Sequence, residues 1–345
     1  MAKMKFLLFN LVLGSFFLFI SSGNSQDLFI DTINAGCDLN LVPEKLTNQL
    51  NGYKILPFPE EQKNRNHFDD RPEGILTPIK SLVMHYTVLD IFETLSLFTK
   101  NISEGRVSSS YVITESDEGA DIKGGQVIQV APDDKRTWHG GVSKWREINN
   151  LNGTSIGIEN VNKGFLDHPQ PEERGAEDAS KTQILEREWF SFDPDQIQSL
   201  GLLSQALIKK YNISPVYVVG HADIASQRKQ DPGILFPWGH LFETYGVGAW
   251  LTEEERSPSV IMERYKPTKL LPPGVDIKFL SKCLKKYGYN VVPTPTPTEE
   301  FLNVLKAFKS HFSRNQQPER YNDEADENDM VWAWGLISKY KPFLV

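Results

Sequence analysis

Cysteine is nearly absent from this chain: Cys37 and Cys283 are the only two in 345 residues. At most one intrachain bridge follows. Cys283 stands at helical spacing with Phe279, Leu280 and Tyr287, so it reads as a small core hydrophobe in preference to a bridge partner. A surplus of positive charge is missing too, since 37 Lys and Arg stand against 45 Asp and Glu, for a formal net charge of −8. Binding nucleic acid takes a basic face for the phosphates, so that class of partner is excluded. The apolar run from Phe6 to Ile20 is shorter than the roughly 20 residues that cross a bilayer. No cysteine follows it closely, which leaves a lipid anchor without an acceptor. No long internal repeat is apparent either.

What is present organises the chain. Lys3 and Lys5 precede the apolar run and the small, polar SSGNS follows it, the three-part layout of a secretory signal peptide. Residues 1–25 are therefore expected to be removed, leaving an exported protein, periplasmic or secreted, with no transmembrane anchor. Residues 26–76 are polar and aperiodic and read as a surface-wrapping arm. Strand patterns rich in β-branched residues recur at SLVMHYT, SYVIT, VIQVAP, SIGIEN and VYVVGH. Helical stretches begin at Asp90 and at Asp193-Pro194, a capping residue followed by proline. Strands mixed with helices predict an α/β fold with a central sheet flanked by helices, over residues 77–247. KPTKLLPPGVD marks a linker within 248–272, and residues 273–342 carry three short helical patterns, the second capped by Thr298 with Phe301, Leu305, Phe308 and Phe312 as its buried stripe. The charged stretch Lys163 to Arg187 reads as a surface insertion. The sequons at Asn101, Asn152 and Asn212 are read as coincidental.

Three residues suggest chemistry. His221 and Asp231 lie ten residues apart at the end of an apolar strand, and His85 sits within another, where an imidazole is costly without a partner. Imidazole and carboxylate are ligand types that Zn²⁺ accepts, and three protein ligands leave the open fourth position of a catalytic site. One zinc per chain is expected. Lys229, two residues before Asp231, puts a cation beside that position. Glu159 alternates with Ile158 on the side of Gly157 and Ser155, where it could face a cleft as a general base.

The blocks VMHYT, SSSYVI, VIQVAPDDKRTWHGGVSKWR, LNGTSIGIENVNKG, GHADIASQRKQDPGILFPW and YGVGAW occur in one order. In them the chain resembles the zinc-dependent N-acetylmuramoyl-L-alanine amidases of the type-2 family, the AmiD-type periplasmic enzymes in particular. The resemblance implies the fold of phage T7-type amidases and peptidoglycan-recognition proteins. It also implies hydrolysis of the amide between N-acetylmuramic acid, or its 1,6-anhydro form, and L-alanine. It makes Glu159 and Lys229 catalytic, and His85, His221 and Asp231 the metal ligands. It sets Tyr111, Trp138, His139 and Asn160 against the substrate, with His139 also weighed as a fourth ligand. Ser110 stands where relatives often carry His. The three C-terminal helices resemble a peptidoglycan-binding module. The expected partner is peptidoglycan and its muropeptides, with no obligate protein partner, and the alternative is a non-catalytic receptor on the same fold. His67, His168, His240 and His311 carry no assigned role.

Overall fold

The computed structural model describes residues 67–72, 78–99, 106–116, 123–167 and 187–341. The expected signal peptide, most of the arm, Cys37, Asn101, His168 and most of the charged insertion lie outside the described residues. No helix among the described residues is long and apolar enough to cross a membrane.

The strands that build the site are β1 (Ser81–Tyr86), β2 (Tyr111–Ile113), β3 (Val127–Gln129), β4 (Ser155–Asn160), β5 (Phe165–Asp167), β6 (Arg187–Trp189) and β7 (Val218–Gly220). The helices are α1 (Ile91–Phe98), α2 (Pro194–Tyr211), α3 (His221–Ile224), α4 (Trp238–Tyr245), α5 (Pro258–Tyr265), α6 (Ile277–Tyr287), α7 (Glu299–Phe308) and α8 (Glu327–Tyr340). The central sheet runs β7-β1-β4-β2-β3. Its first three pairings are parallel and the β2–β3 edge is antiparallel, so the central sheet that the sequence predicts is a mixed one. β5 and β6 pair apart from it as a two-stranded ribbon.

Side-chain caps start five of the eight helices. Asp90 accepts the Glu93 N–H at 2.8 Å, Asp193 accepts the Asp195 N–H at 2.9 Å, and Asp276 accepts the Phe279 N–H at 2.9 Å. Thr298 caps α7 through the Phe301 N–H, and Asp326 and Asp329 cap α8 reciprocally. On one sheet face Ile91, Leu95 and Phe98 of α1 cover Val112, Ile128 and Val161. On the other, Met84, Ile158, Tyr111 and Ile113 join Ile197, Leu200, Leu203 and Leu207 of α2.

The second of those clusters continues without a break into the C-terminal helices, where Leu280, Cys283, Leu284, Phe301, Leu305, Phe308, Phe312 and Trp332 belong to it. Trp145 of the catalytic region meets Tyr289 edge to face at 4.9 Å and Tyr287 at 5.8 Å. The stretch expected as a linker holds α5, whose Ile261 is fully buried. A Cβ on Gly335 of α8 would come within 2.6 Å of Leu251 Cδ1 and 2.9 Å of Ile261 Cδ1, so α5 and α8 meet only because that residue is glycine. Three C-terminal helices form as the pattern predicts, but they share one core with the sheet instead of hanging from a tether.

Candidate metal centre and active site

β1 carries His85 beside Glu159 of β4, its partner in parallel register. β7 ends at Gly220, and His221 opens α3 immediately after it. The chain then loops back, and the Ala222 N–H donates to the Asp231 carbonyl at 2.8 Å, which ties the two segments together. His85, His221 and Asp231 are all buried, and their ligand-type atoms lie within 4.8 Å of one another, the one such group among the described residues. Asp231 Oδ2 is 2.9 Å from His85 Nδ1 and 3.1 Å from His221 Nδ1.

The surrounding hydrogen bonds assign the protons, and the assignment tests whether a cation fits. Ser155 Oγ donates to the Leu151 carbonyl at 2.7 Å, so it accepts from His139 Nε2 at 3.0 Å. That leaves His139 Nδ1 bare to accept from His85 Nε2 at 3.1 Å. His85 Nδ1 is then a lone pair. His221 Nε2 donates to the Gly140 carbonyl at 3.2 Å, because the two protons of Arg228 Nη2 go to the Gly140 and Val142 carbonyls. His221 Nδ1 is a lone pair as well. Two bare nitrogens and a carboxylate oxygen thus converge in a buried space, which costs free energy unless a cation lies among them. An N₂O set with the far ring nitrogens fixed by hydrogen bonds is the donor set of a zinc site, so the residues fit the ion.

Two of the imidazoles are held neutral. Burial, with His221 beside it and against the pull of Asp231, pushes His85 down to about 4, so its ring is neutral. His139 is driven well below its ordinary range by burial and by the two neighbouring imidazoles. Burial would raise Asp231, and charge on His221 with ring N–H donors from His221 and His85 would hold the carboxyl far below its usual range; with both Nδ1 atoms bare, that stabilisation falls to a cation. Glu159 goes the other way: burial and then the Asp231 charge push it well above the usual carboxylate range, with Lys229 opposing. Glu159 Oε1 lies 4.0 Å from His85 Nδ1, and Oε2 has no hydrogen-bond partner. Lys229 is exposed at the rim of this cluster.

Four expectations about substrate contacts meet the geometry differently. Tyr111 pairs with Ile158, one residue out of step with Glu159, so it faces the opposite side of the sheet. There it is buried and donates to Asp133 at 2.6 Å, a packing role and not a site-facing one. Asn160 is fully buried and donates from Nδ2 to the His85 carbonyl at 2.9 Å, which makes it a brace for the ligand strand instead of a substrate contact. His139 is neither fourth ligand nor groove wall. It is buried behind His85, over Gly157, where an added Cβ would lie 2.5 Å from its Cγ. Trp138 is half-buried, with Arg136 over its ring at 4.4 Å and Arg106 at 5.4 Å. Ser110 is fully buried against Thr137, 3.3 Å away, so it offers nothing to a substrate. Asn152 is buried with its side-chain oxygen on the Gly140 N–H, an environment that no glycan would enter.

Sequence reading missed the Ser155 and Arg228 contacts that settle the imidazole protons. Arg228 carried a readable signal, since it lies between the ligands His221 and Asp231.

Known proteins resemble this chain in sequence and in fold. Residues 76–234 match the family model described as N-acetylmuramoyl-L-alanine amidase. N-acetylmuramoyl-L-alanine amidase AmiD of Escherichia coli is 37% identical over 262 residues, 76% of this chain and 83% of AmiD. The E. coli 1,6-anhydro-N-acetylmuramyl-L-alanine amidase AmpD is 31% identical over 117 residues, 34% of this chain and 51% of AmpD. Among solved structures, E. coli AmiD in complex with the substrate anhydro-N-acetylmuramic acid-L-Ala-D-gamma-Glu-L-Lys has a TM-score of 0.58 at 34% identity, covering 76% of this chain and 90% of that one. AmpDh3 of Pseudomonas aeruginosa in complex with anhydromuramic pentapeptide has the same TM-score, 0.58, at 31% identity, covering 76% and 92%. With identity at that level across most of both chains, this protein belongs to the type-2 N-acetylmuramoyl-L-alanine amidase family.

Proposed function

We propose that the chain hydrolyses the amide between the lactyl group of N-acetylmuramic acid and L-alanine, with one zinc ion held by His85, His221 and Asp231. The observation that carries this reading is the convergence of two bare imidazole nitrogens and a carboxylate beside a partnerless Glu159 oxygen. When bound, zinc would supply Lewis-acid polarisation of the scissile carbonyl and lower the pKa of the attacking water to about 7. His139 and Ser155 keep the proton of His85 on Nε2, and the Gly140 carbonyl does the same for His221, so both rings present Nδ1 inward. Glu159 takes a proton from the water and delivers it to the departing amine of L-alanine. Its raised proton affinity suits a group that must hold a proton between two steps. Lys229 offers a fixed charge for the developing oxyanion. Trp138 remains the one proposed substrate contact of the four.

The muropeptide class is supported by the AmiD and AmpDh3 complexes, both with anhydromuramyl peptides, and acceptance of the anhydro form is part of the proposal. Export belongs to it as well, supported by the signal-peptide layout and by a substrate that lies outside the cytoplasmic membrane. The C-terminal helices are proposed to add contacts to the polymer beyond their packing role. Digestion of purified sacculi and of anhydromuropeptides, with fragments identified by mass, tests the reaction. Free peptides beginning with L-alanine, without new reducing sugar ends, are expected. The activity should vanish on chelation and return with zinc, and full turnover by metal-free protein would refute the metal role. N-terminal sequencing of the mature protein tests cleavage after Ser25.

A further inference from the structure

α3 is a single turn, too short to hold its own geometry, yet it must present His221 at a fixed angle. Its backbone is pinned on both sides of the ligand. After His221, the Ala222 N–H donates to the Asp231 carbonyl at 2.8 Å. Before it, the Gly220 N–H donates to Asp223 Oδ2 at 2.7 Å. Asp223 is 3% exposed, and a buried carboxylate needs donors on both oxygens. The C-terminal region supplies them: Tyr289 donates its hydroxyl to Oδ1 at 2.6 Å, and His311 donates from Nδ1 to Oδ2 at 2.7 Å. His311 is in turn stacked on Trp238 at 3.8 Å. The edge of Trp238 closes on Gly220, where an added Cβ would lie 3.5 Å from Cζ2 and 2.6 Å from Pro232 Cδ.

We propose that Asp223, gripped by Tyr289 and His311, is a positioning residue for the metal ligand His221, so that the C-terminal helices complete the metal centre. The inference rests on the zinc reading above. Their hydrogen bonds go to one another and to the Gly220 N–H, so they act on the turn that carries His221. A carboxylate with three donors at 2.6 to 2.7 Å allows that turn one orientation. Removing a donor leaves an underbonded buried charge, which relaxes by shifting the turn.

The test uses the full-length protein and reads zinc affinity by competition with a chromogenic chelator, together with the melting temperature of the metal-free form. Tyr289→Phe deletes one oxygen and leaves the aromatic packing in place. It and His311→Leu should each raise the zinc Kd by about 10-fold or more, the usual effect of losing a partner that orients a metal ligand. At saturating zinc, kcat should fall while KM holds. His311→Asn puts an amide N–H where the ring Nδ1–H stood and should restore the wild-type Kd. Cooperative folding of the variants with zinc affinity within twofold of wild type, and only the melting temperature lowered, would overturn the proposal and leave the contacts as bracing. Failure of the wild-type chain itself to bind zinc would instead overturn the metal reading, and this inference with it.

Discussion

Two buried clusters of polar groups, one in the sheet and one in the C-terminal helices, resolve their charges in opposite ways. In the helices Lys309 is completely buried, yet its ammonium donates to Asn322 Oδ1 at 2.8 Å and to the Glu324 carbonyl, and lies 3.4 Å from Asp329 Oδ2. Ser313 donates to the other Asp329 oxygen, and Arg314 pairs with Asp326. Each charge there has an opposite charge or a donor beside it. In the sheet, acceptor faces acceptor at His85, His221 and Asp231, and Glu159 keeps an oxygen without a partner. Burial is similar in both places, so depth does not distinguish a site from a brace. Converging acceptors with no donor between them do, because two ring lone pairs and a carboxylate oxygen are kept together only where a cation completes them.

The contrast can be broken first at its extremes. His85→Ala should remove the metal and bring hydrolysis to the assay background, with zinc content measured on the same sample. Truncation before Leu271 would strip Trp145 and Trp250 of their aromatic partners. It should therefore abolish turnover on sacculi and on small muropeptides alike; loss on sacculi alone would restore the picture of a tethered binding module. Next in size, Glu159→Gln should retain zinc while kcat drops by about 10² to 10⁴, the range for general acid–base catalysis. A kcat near wild type would remove Glu159 from the mechanism.

Within the closed cluster the effects are on stability. Lys309→Met leaves Asp329 buried without its cation and should cost about 3 to 5 kcal/mol in denaturant unfolding, while the zinc Kd of the folded protein holds. A comparable loss of zinc affinity would erase the distinction between the two clusters. The smallest effect belongs to Glu255. Burial raises its carboxyl, but Lys339, Tyr265 and the Thr252 N–H outweigh that and hold it at about 2, below an ordinary value of 4.5. A carboxyl depressed on folding adds stability above its unfolded pKa and loses it as pH falls through the folded one. Glu255→Gln should therefore cost roughly 1 kcal/mol at pH 7 after screening by solvent, and the gap to wild type should close between pH 4.5 and 2. A pH-independent gap would show that packing, and not charge, is what the substitution removes.

What could be read along the chain was local or tied to ligand chemistry. Caps at Asp90, Asp193 and Thr298 act over two or three residues, and alternation along β4 puts Glu159 on the side of Gly157 whatever the strand pairs with. His85, His221 and Asp231 were legible as a set because their types suit zinc and they fall in blocks that resemble the family's, although a lone strand histidine is more often a satisfied core residue. Register and long-range return were not legible. A one-residue offset between β2 and β4 turned Tyr111 away from the site, and the backbone carbonyl of His85 claimed Asn160. His139 went behind its expected position because Gly157 left room for its ring. Tyr289 and His311 lie 66 and 88 residues from the Asp223 they hold, a separation with no periodicity to betray it. The sequence by itself determined which groups could bind a metal and move a proton, because that is a property of side chains and their nearest neighbours. Only the tertiary structure decided which nitrogen each imidazole offers and what holds it there, because those depend on partners that folding alone brings together.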